Sequence, residues 1–496
     1  MRVQLLQTRA KPCLSGSVPT LRVRRHCAAN SISRVRLQPS IRCVATTPAA
    51  VLDEPKEPPV ASWIGISFLL NGSDFTRKAV QKHGHVWKAH ILGATIYGLA
   101  GDAGLKAFYD EKNIKRFPGM SANLEQAAWD DQYNPHYAVP PLDSEQGWQQ
   151  RKSQFMAGID SRAAVEQYLQ ALDQGIIDTI KGLGADGKEF ALWDTINSLV
   201  LGGLSKAFFG FGLADYCAGE QAMIGSIQTG YTVFDAKVKA SQPQKDAFTT
   251  NVRYLREALA EYRAHPKRFP GAGLGKYLEL AEKLHMPDEE ILLDMHQMIC
   301  VGAYGGVTSS AGCMAFSLAT NPEVRKKAKA EIAANLGSGT PTFADMKALP
   351  YTYAVLKEAL RRWPIVHIVR GQSIQDIVVE GKRVPKDSTV IAALHGTMHD
   401  PTVYKEPERF DPERFLPPRN EGADEVWTGY QVVFGAGESG AQHACAGRNT
   451  ALLTLFVLLI RLLQNWDWEL VKSSEYLVTN HFSPNPSNNL KMRKSN

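Results

Sequence analysis

One cysteine, Cys445, stands at the end of a glycine-containing loop that leads into an apolar segment. The loop runs from Phe434 through Gly435 and Gly437 to Cys445, and the apolar run Ala451–Leu463 follows closely. Glycines let the main chain approach a flat ligand, and a helix N-terminus favours the anionic form of a cysteine beside it. A single thiolate with an open face suits a haem iron better than zinc, which takes four protein ligands, or three and water. A buried free cysteine before a core helix is the alternative interpretation.

Two distant segments favour the haem interpretation. Lys-Glu-Ala-Leu-Arg occupies Lys357–Arg361, and Phe-Asp-Pro-Glu-Arg-Phe occupies Phe410–Phe415, both upstream of Cys-Ala-Gly at Cys445–Gly447. With these three motifs in this order, the chain resembles the cytochrome P450 family from about residue 60 to its end. The resemblance implies a mainly α fold with a smaller β-rich subdomain, and haem b whose iron is bound by Cys445.

The resemblance also assigns residues around the haem. Glu358 and Arg361 are expected to form a buried ion pair with Arg414 that holds the loop beneath the haem, although an exposed helix pair is the alternative. The loop itself contributes Phe434, Gly437 and His443. His443 either bonds a propionate or the thiolate, or faces water.

A basic residue that pairs with a haem propionate is expected four positions after a Trp or His. Lys152 follows Trp148 at this spacing and shares its helix face. Arg151 competes one position away, and a plain surface lysine remains an alternative.

The segment Asp288–Leu318 has a long apolar helix pattern that ends near Asn321-Pro322. In the family this helix crosses the distal face of the haem and carries an acid followed by a threonine, which relay protons during O–O cleavage. Counting back from Asn321-Pro322 places Gly305 and Gly306 at these positions. A register shifted by three residues would place Thr308 and Ser309 there instead.

The run from Gly302 to Gly306, which contains Tyr304, resembles the distal helix of the allene oxide synthase and fatty-acid hydroperoxide lyase branch. The eleven positions from Phe434 to Cys445, against seven in ordinary members, point the same way. Gly302 departs from the branch, which has an asparagine at this position. Tyr304 is expected to shape the distal face.

Three functions follow from these features. The first is rearrangement or cleavage of fatty-acid hydroperoxides without dioxygen or NADPH. The second is a monooxygenase that acts on a carotenoid or fatty acid with electrons from ferredoxin or a flavoprotein reductase. The third is a haem sensor or carrier without turnover. The first two functions imply a small lipophilic substrate.

Charge and cysteine content limit the other classes. The chain has 496 residues, 44% hydrophobic and 21% charged, which suits a large core. Nine basic and no acidic residues precede Asp53; without them 47 Lys and Arg face 50 Asp and Glu, a formal net charge of −3. The basic balance therefore lies in the leader, and nucleic acid is not implied. Seven cysteines without a CxxC pair argue against a disulfide framework.

The leader predicts import into an organelle. Residues 1–45 are rich in Arg and Ser, contain no acid and lack a continuous apolar stretch, as in a transit peptide. A disordered tail that binds an acidic partner is the alternative. We expect a plastid transit peptide over 1–45, a Pro-rich linker over 46–60 and the catalytic domain over 61–496. No run reaches the ~18 apolar residues of a membrane span, so a soluble or peripheral protein at the thylakoid or envelope surface is expected.

The elements that position these residues are predicted from their periodicity. His85–Ala100 reads as a β-hairpin at the edge of a small sheet, and residues 160–300 read mainly as amphipathic helices. Strands are expected at Ile377–Val379 and Thr389–Ile391, with a turn at Glu380–Lys382. By position in the family, Val366, His367 and Ile368 would line the substrate pocket.

Overall fold

Helices form most of the described chain. The computed structural model describes residues 56–61, 74–91, 94–116, 152, 155–183, 188–212, 242–269, 271–422, 427–435, 444–472 and 490–495. The α-helices are α1 (Asp74–His83), α2 (Gly101–Tyr109), α3 (Arg162–Gly182), α4 (Leu192–Phe209), α5 (Gln242–Ala264), α6 (Gly273–Lys283), α7 (Asp288–His296), α8 (Ser309–Thr320), α9 (Pro322–Asn335), α10 (Asp345–Ala348), α11 (Pro350–Arg362), α12 (Leu394–Met398) and α13 (Arg448–Asn465). Short 3₁₀ turns lie at Pro266–Arg268, Pro412–Phe415 and Tyr430–Phe434.

The long helix predicted at Asp288–Leu318 is present but changes its pitch. Its first part is α7 and its last part is α8, and the segment between them, Gln297–Thr308, is π-helical. Glycines at 302, 305 and 306 lower the α-helical propensity of this segment, and π-helical turns concentrate at functional sites. The helix ends at Thr320, where Asn321-Pro322 was predicted to end it, and α9 begins at Pro322.

Small residues bring α3 and α4 into close contact. A Cβ atom on Gly175 would lie 2.5 Å from the carbonyl oxygen of Gly202 and 2.9 Å from Cα of Gly203. The two backbones therefore touch without side chains between them. The helix α13 is buried along almost its whole length, and its residues belong to the largest apolar cluster.

The strands form three sheets. The strands are β1 (Val86–Ile91), β2 (Ala94–Leu99), β3 (Ile114–Arg116), β4 (Glu189–Ala191), β5 (Ile368–Ser373), β6 (Ile377–Val379), β7 (Lys382–Val384), β8 (Thr389–Ala393), β9 (Asp467–Leu470) and β10 (Lys491–Ser495). The largest sheet has the order β1-β2-β8-β5-β3, in which only β2 and β8 run parallel, and the others are β4-β10-β9 and β6-β7.

The predicted hairpin at His85–Ala100 is confirmed, and a second hairpin forms at the predicted turn after Val379, although its second strand, β7, was not predicted. β1 and β2 pair antiparallel at the edge of the large sheet, with Val86 opposite Leu99. β6 and β7 pair through a turn in which Glu380 and Gly381 have φ angles of 48° and 70°. A two-residue turn with both φ angles positive matches the twist of a hairpin. The described part of the predicted linker also contacts these strands, since Lys56 N–H donates to the Gly381 carbonyl at 2.8 Å.

The mainly α architecture with a smaller strand-containing region is thus as the sequence predicts. Among the residues that the structure describes, every helix is too short or too polar to cross a membrane.

Candidate active site

Cys445 lies between a 3₁₀ turn and the first turn of α13. Its backbone N–H donates to the carbonyl of Phe434 at 2.5 Å, which ties the two ends of the loop together. Gly435 leaves the turn with a φ angle of 78°, a left-handed conformation that glycine adopts without strain. The helix itself begins at Arg448, three residues after the cysteine. The structure therefore places Cys445 beside a helix N-terminus, as the sequence pattern predicts.

Cys445 opens into a cavity with ≈ 1350 Å³ of space free of protein atoms, part of it open to solvent. One wall comes from the cysteine segment and α13: Cys445, Ala446, Gly447, Thr450, Ala451 and Leu455. A second wall comes from the long helix: Met298, Gly302, Ala303, Gly305, Gly306, Val307 and Ser310. Phe155, Ile159, Leu204, Phe208, Leu360, Ile365, Val366, Val433 and Phe434 complete the lining.

The cavity fits a flat macrocycle bound through a thiolate. A Cβ atom on Gly306 in one wall, or on Gly447 in the other, would meet no atom within 4 Å, so both glycines face open space. Within the described ranges, no group of three or more His, Cys, Asp or Glu side chains is placed to hold a metal ion. The single thiol of Cys445 beside this open space suits a haem iron, for which one cysteine thiolate is an established protein ligand.

The groups around Cys445 partly offset the effect of burial on the pKa of its thiol. Burial raises the pKa of the thiol, even though the residue is accessible from the cavity. A hydrogen bond from Gly447 N–H and the positive charges of Lys152 and Arg448 lower the pKa, whereas the negative charge of Asp160 raises it. A bound metal ion holds the thiol in its deprotonated form.

Among its described residues, the long helix places three glycines and the hydroxyl residue Ser310 in the cavity wall. Gly305 and Gly306, predicted at the acid and alcohol positions, both line it, as does Gly302. Thr308, predicted as a candidate distal residue, does not: it is fully buried and its hydroxyl donates to Asn197 Oδ1 of α4 at 3.2 Å. Ser310 lines the cavity instead.

Spacing along the helix separates the residues that line the cavity from Thr308. Gly302, Gly306 and Ser310 lie four residues apart, so they share one face of the helix and line the cavity together. Thr308 lies two positions from both Gly306 and Ser310, and its hydroxyl bonds to α4 instead. The family resemblance assigns the acid and alcohol to Gly305 and Gly306, or to Thr308 and Ser309, so it misses Ser310.

Comparison with known proteins settles the family. A family model described as Cytochrome P450 matches residues 55–492. The chain belongs to the cytochrome P450 family. This P450 also matches a solved structure described as retinoic acid bound cyanobacterial CYP120A1, with a TM-score of 0.70 and 20% identity, over 89% of this chain and 99% of that one. The structural match establishes the fold, and haem b is the cofactor of the family.

Curated relatives align over shorter stretches. Cytochrome P450 3A16 of Mus musculus is 32% identical over 193 residues, 38% of this chain and 37% of the mouse protein. Cyclooctat-9-en-7-ol 5-monooxygenase of Streptomyces melanosporofaciens is 26% identical over 302 residues, 58% of this chain and 64% of that protein. Luvungin A synthase of Citrus sinensis is 27% identical over 269 residues, 53% and 54% of the two chains. The chain thus spans less than two thirds of each relative.

The ion pair predicted in this P450 is present and buried. Glu358 Oε2 lies 2.7 Å from Arg361 Nε, Arg414 Nε lies 3.1 Å from the same carboxylate, and all three side chains are 0% exposed. Arg361 also donates to the Met398 and Pro407 carbonyls at 2.7 Å. None of the three charged residues is among the described residues that line the cavity. These residues join α11 to the segment that precedes the cysteine loop. They therefore stabilise the surroundings of the site without lining the cavity.

The remaining predicted residues divide into three groups. Lys152 lies close enough to Cys445 for its charge to lower the pKa of the thiol. Val366 lines the cavity together with Ile365, whereas His367 and Ile368 do not. Outside the described residues lie Trp148, Arg151, Gly437, His443 and the side chain of Tyr304.

Proposed function

We propose that this P450 is a monooxygenase that oxidises a neutral, apolar lipid with dioxygen and electrons from a protein donor. The observation that carries the proposal is Ser310, a hydroxyl residue in the cavity wall that the long helix forms. When bound, the haem supplies the activation of dioxygen and the transfer of one oxygen atom to carbon. The relative named as a cyclooctat-9-en-7-ol 5-monooxygenase supports this reaction class.

The chain's own residues have separate tasks in this proposal. Cys445 binds the iron, and the hydrogen bond from its N–H to the Phe434 carbonyl holds it in place. Gly305 and Gly306 leave room between the walls, because neither carries a side chain. Ser310 Oγ holds and passes a proton at the long-helix wall, a role for which a hydroxyl and an ordered water suffice.

The lining of the cavity selects the substrate. Of the described residues in its walls, only Cys445, Ser310 and Thr450 have polar side chains, and none is charged. Taking a charged group out of water into such a site without a partner is costly. The substrate proposed is therefore predominantly hydrocarbon and uncharged where it lies in the cavity.

The partners and location of the proposal rest on the sequence. A ferredoxin or a flavoprotein reductase is the proposed electron donor. The acid-free leader over residues 1–45 supports import into the plastid, where the protein would meet lipophilic substrates at the thylakoid or envelope surface.

A second candidate is the rearrangement of fatty-acid hydroperoxides. It is favoured by Gly305 and Gly306 at the acid and alcohol positions, and by the lack of a carboxylate among the described lining residues. In that reaction the O–O bond of the substrate supplies the oxidant, so the long-helix wall need not deliver a proton. Ser310 would then have no part in turnover.

The experiment that separates the two functions starts with the haem-loaded enzyme without its leader and without reductase. A polyunsaturated fatty-acid hydroperoxide is added, and the conjugated-diene absorbance is followed over minutes. In parallel, dioxygen, NADPH and a ferredoxin–reductase pair are supplied with a panel of neutral isoprenoids. We expect oxidised product only in the second assay, and only with Cys445 intact.

Substitution of Ser310 tests its role directly. Ser310→Ala is expected to lower the product formed per NADPH by about tenfold or more, as for loss of a positioned proton donor, while hydrogen peroxide release rises. Ser309→Ala is the matched control, because Ser309 is a buried neighbour on the same helix and does not line the cavity. Rapid hydroperoxide loss without reductase, unaffected by Ser310→Ala, would overturn the monooxygenase proposal and support the second candidate.

A further inference from the structure

Asp160 is a buried carboxylate held at the N-terminus of the helix that follows Cys445. It is 0% exposed and ends the π-helical turn Met156–Asp160. Its carboxylate accepts the backbone N–H groups of Thr450 at 2.7 Å and Asn449 at 3.2 Å. Its carbonyl accepts Asn449 Nδ2–H at 2.8 Å, which joins the same two segments a second time.

These contacts make Asp160 an N-terminal cap supplied by another part of the chain. The helix α13 starts at Arg448, so Asn449 and Thr450 are its second and third residues, whose N–H groups a capping side chain usually bonds. The residue at the capping position is Gly447, which has no side chain to do so. Asp160 therefore supplies the carboxylate that the local sequence cannot.

Asp160 and Cys445 share the free N–H groups of one helix end. Gly447 N–H bonds to the cysteine sulfur, and the N–H groups of Asn449 and Thr450 bond to Asp160. A helix N-terminus stabilises nearby negative charge, and here it stabilises both the Asp160 carboxylate and the Cys445 thiolate. Burial raises the pKa of Asp160 to about 6 against the hydrogen bonds from Thr450 and Asn449, so the carboxylate is ionised at pH 7.5.

The residues around Asp160 connect it to the cavity wall and to α3. Thr450 lines the cavity, and its hydroxyl lies 2.8 Å from the Tyr168 hydroxyl, which also donates to the Ile159 carbonyl at 3.0 Å. Tyr168 is buried in α3, and Ser161, next to Asp160, caps α3 through the N–H of Ala164. One short segment thus starts α3 and closes the N-terminus of α13.

We propose that Asp160 is a positioning residue that sets the reduction potential of the haem site by placing a fixed negative charge beside Cys445. A nearby anion disfavours the more negatively charged, reduced state of the site, so the carboxylate lowers the potential. The inference needs only thiolate ligation by Cys445 and holds for either candidate function.

A purely structural role is the competing explanation, and α3 contains a matched control. Asp173, a residue of α3 itself, is buried like Asp160 and also bonds to α13, through two contacts of 2.6 Å with Arg461. Its charge is paired with Arg461, and that contact lies thirteen residues beyond the start of α13. Loss of either carboxylate weakens the packing of α3 on α13, but only Asp160 stands at the end of α13 next to Cys445.

The test compares Asp160→Asn with Asp173→Asn in the haem-loaded protein by spectroelectrochemical titration and thermal unfolding. For Asp160→Asn we expect the reduced-to-oxidised ratio at a fixed potential to rise by up to about tenfold, since one buried charge is removed at close range. A tenfold change corresponds to ~59 mV for one electron. For Asp173→Asn we expect a lower unfolding temperature and an unchanged potential.

Two further variants keep the test decisive. Asp160→Glu retains the charge and is expected to keep the potential near that of the wild type, even where stability falls. Asp160→Ser, which keeps an oxygen able to cap a helix, replaces the asparagine variant where that variant does not fold. An unchanged potential in the neutral variants, or an equal shift in Asp173→Asn, would overturn the proposal.

Discussion

Gly306 leaves a gap in the cavity wall that no neighbouring atom fills. A Cβ atom added there would meet nothing within 4 Å, whereas one on Gly312, six residues later, would lie 2.7 Å from the buried ring of Trp193. Gly306→Ala should therefore fold, and it should gain up to about 1 kcal/mol because alanine favours a helix. Gly312→Ala should lose about 1–3 kcal/mol through overpacking.

Urea unfolding of the two purified variants checks this prediction. The alanine at 306 should also weaken binding of a bulky ligand, followed by the change in the haem spectrum, because it narrows the cavity. Equal destabilisation of the two variants would mean that the wall at Gly306 is closed.

The side chains of the site differ in how far the sequence predicts them. Cys445 was predicted from the residues next to it in the chain, because the glycine-containing loop and the apolar run that forms α13 are both adjacent to it. Ser310 lies one turn beyond Gly306 and outside the two pairs of positions that the resemblance indicates, so the sequence alone does not select it. Thr308, the hydroxyl residue of the alternative register, does not line the cavity and donates to Asn197 instead.

Among the helices, α3 and α4 depend on glycine where they cross. A Cβ atom on Gly175 would lie 2.5 Å from the Gly202 carbonyl oxygen of α4, so a methyl group there can be accepted only by separating the helices. Gly175→Ala is expected to lower the free energy of unfolding by about 1–3 kcal/mol. Gly182→Ala, in the last residue of the same helix, has open space around it and should change stability little. Chemical denaturation compares the two, and equal midpoints would contradict the contact.

The contact between α11 and the chain around Pro412–Phe415 depends on charge. Glu358 is the single carboxylate between Arg361 and Arg414 in this buried cluster. Glu358→Gln leaves two buried guanidinium groups with less compensation and should cost about 3–5 kcal/mol. Glu406→Gln removes an exposed partner of Arg409 and should leave the unfolding midpoint unchanged. Denaturant titration measures both, and a loss in Glu358→Gln no larger than in Glu406→Gln would contradict the prediction.

A turn between neighbouring strands is predicted from the sequence more directly than the order of strands in a sheet. The turn after β6 was predictable because Glu380 and Gly381 follow the β-branched run Ile377–Val379, whereas β7, with the sequence Lys-Arg-Val, has no such pattern and was not predicted. The order of the large sheet was not, since β2 and β8 pair in parallel across almost three hundred residues. Such pairing is set by packing of the whole core and leaves no local signal in either strand.

The protein as a whole assembles its cavity from segments far apart in the chain. Phe155, Leu204, Leu360 and Val433 meet around Cys445, although each lies in a different element. Apolar residues of this kind are indistinguishable in sequence from ordinary core residues. The cysteine motif therefore predicts the cofactor and the family, while the shape and polarity of the pocket emerge only when the helices pack.

One histidine, His85, links the large sheet to the segment after α12. His85, just before β1, places Nδ1 2.7 Å from Glu380 Oε1 in the β6–β7 turn and Nε2 2.6 Å from the buried Asp400 Oδ2. The hydrogen bond to Asp400, together with that to Glu380 and both negative charges, raises the pKa of His85 to about 9 despite its partial burial. The imidazolium is thus the form that the folded protein favours.

The stability of the protein should therefore fall between pH 6.5 and 9. Because the pKa of His85 is higher in the folded chain than its ordinary value of 6.5, its contribution is complete below pH 6.5 and is lost as the pH rises through 9. We expect His85→Gln to be about 1–2 kcal/mol less stable than the wild type at pH 6, after allowance for solvent screening, and to show no such deficit at pH 9.5. His90→Gln, on the same hairpin, removes an exposed ring that contacts Thr95 and should leave the pH profile unchanged. Urea unfolding at a series of pH values measures the free energy of unfolding of each variant. A loss of stability in His85→Gln that stays constant across this pH range would show that His85 acts through packing and not through charge.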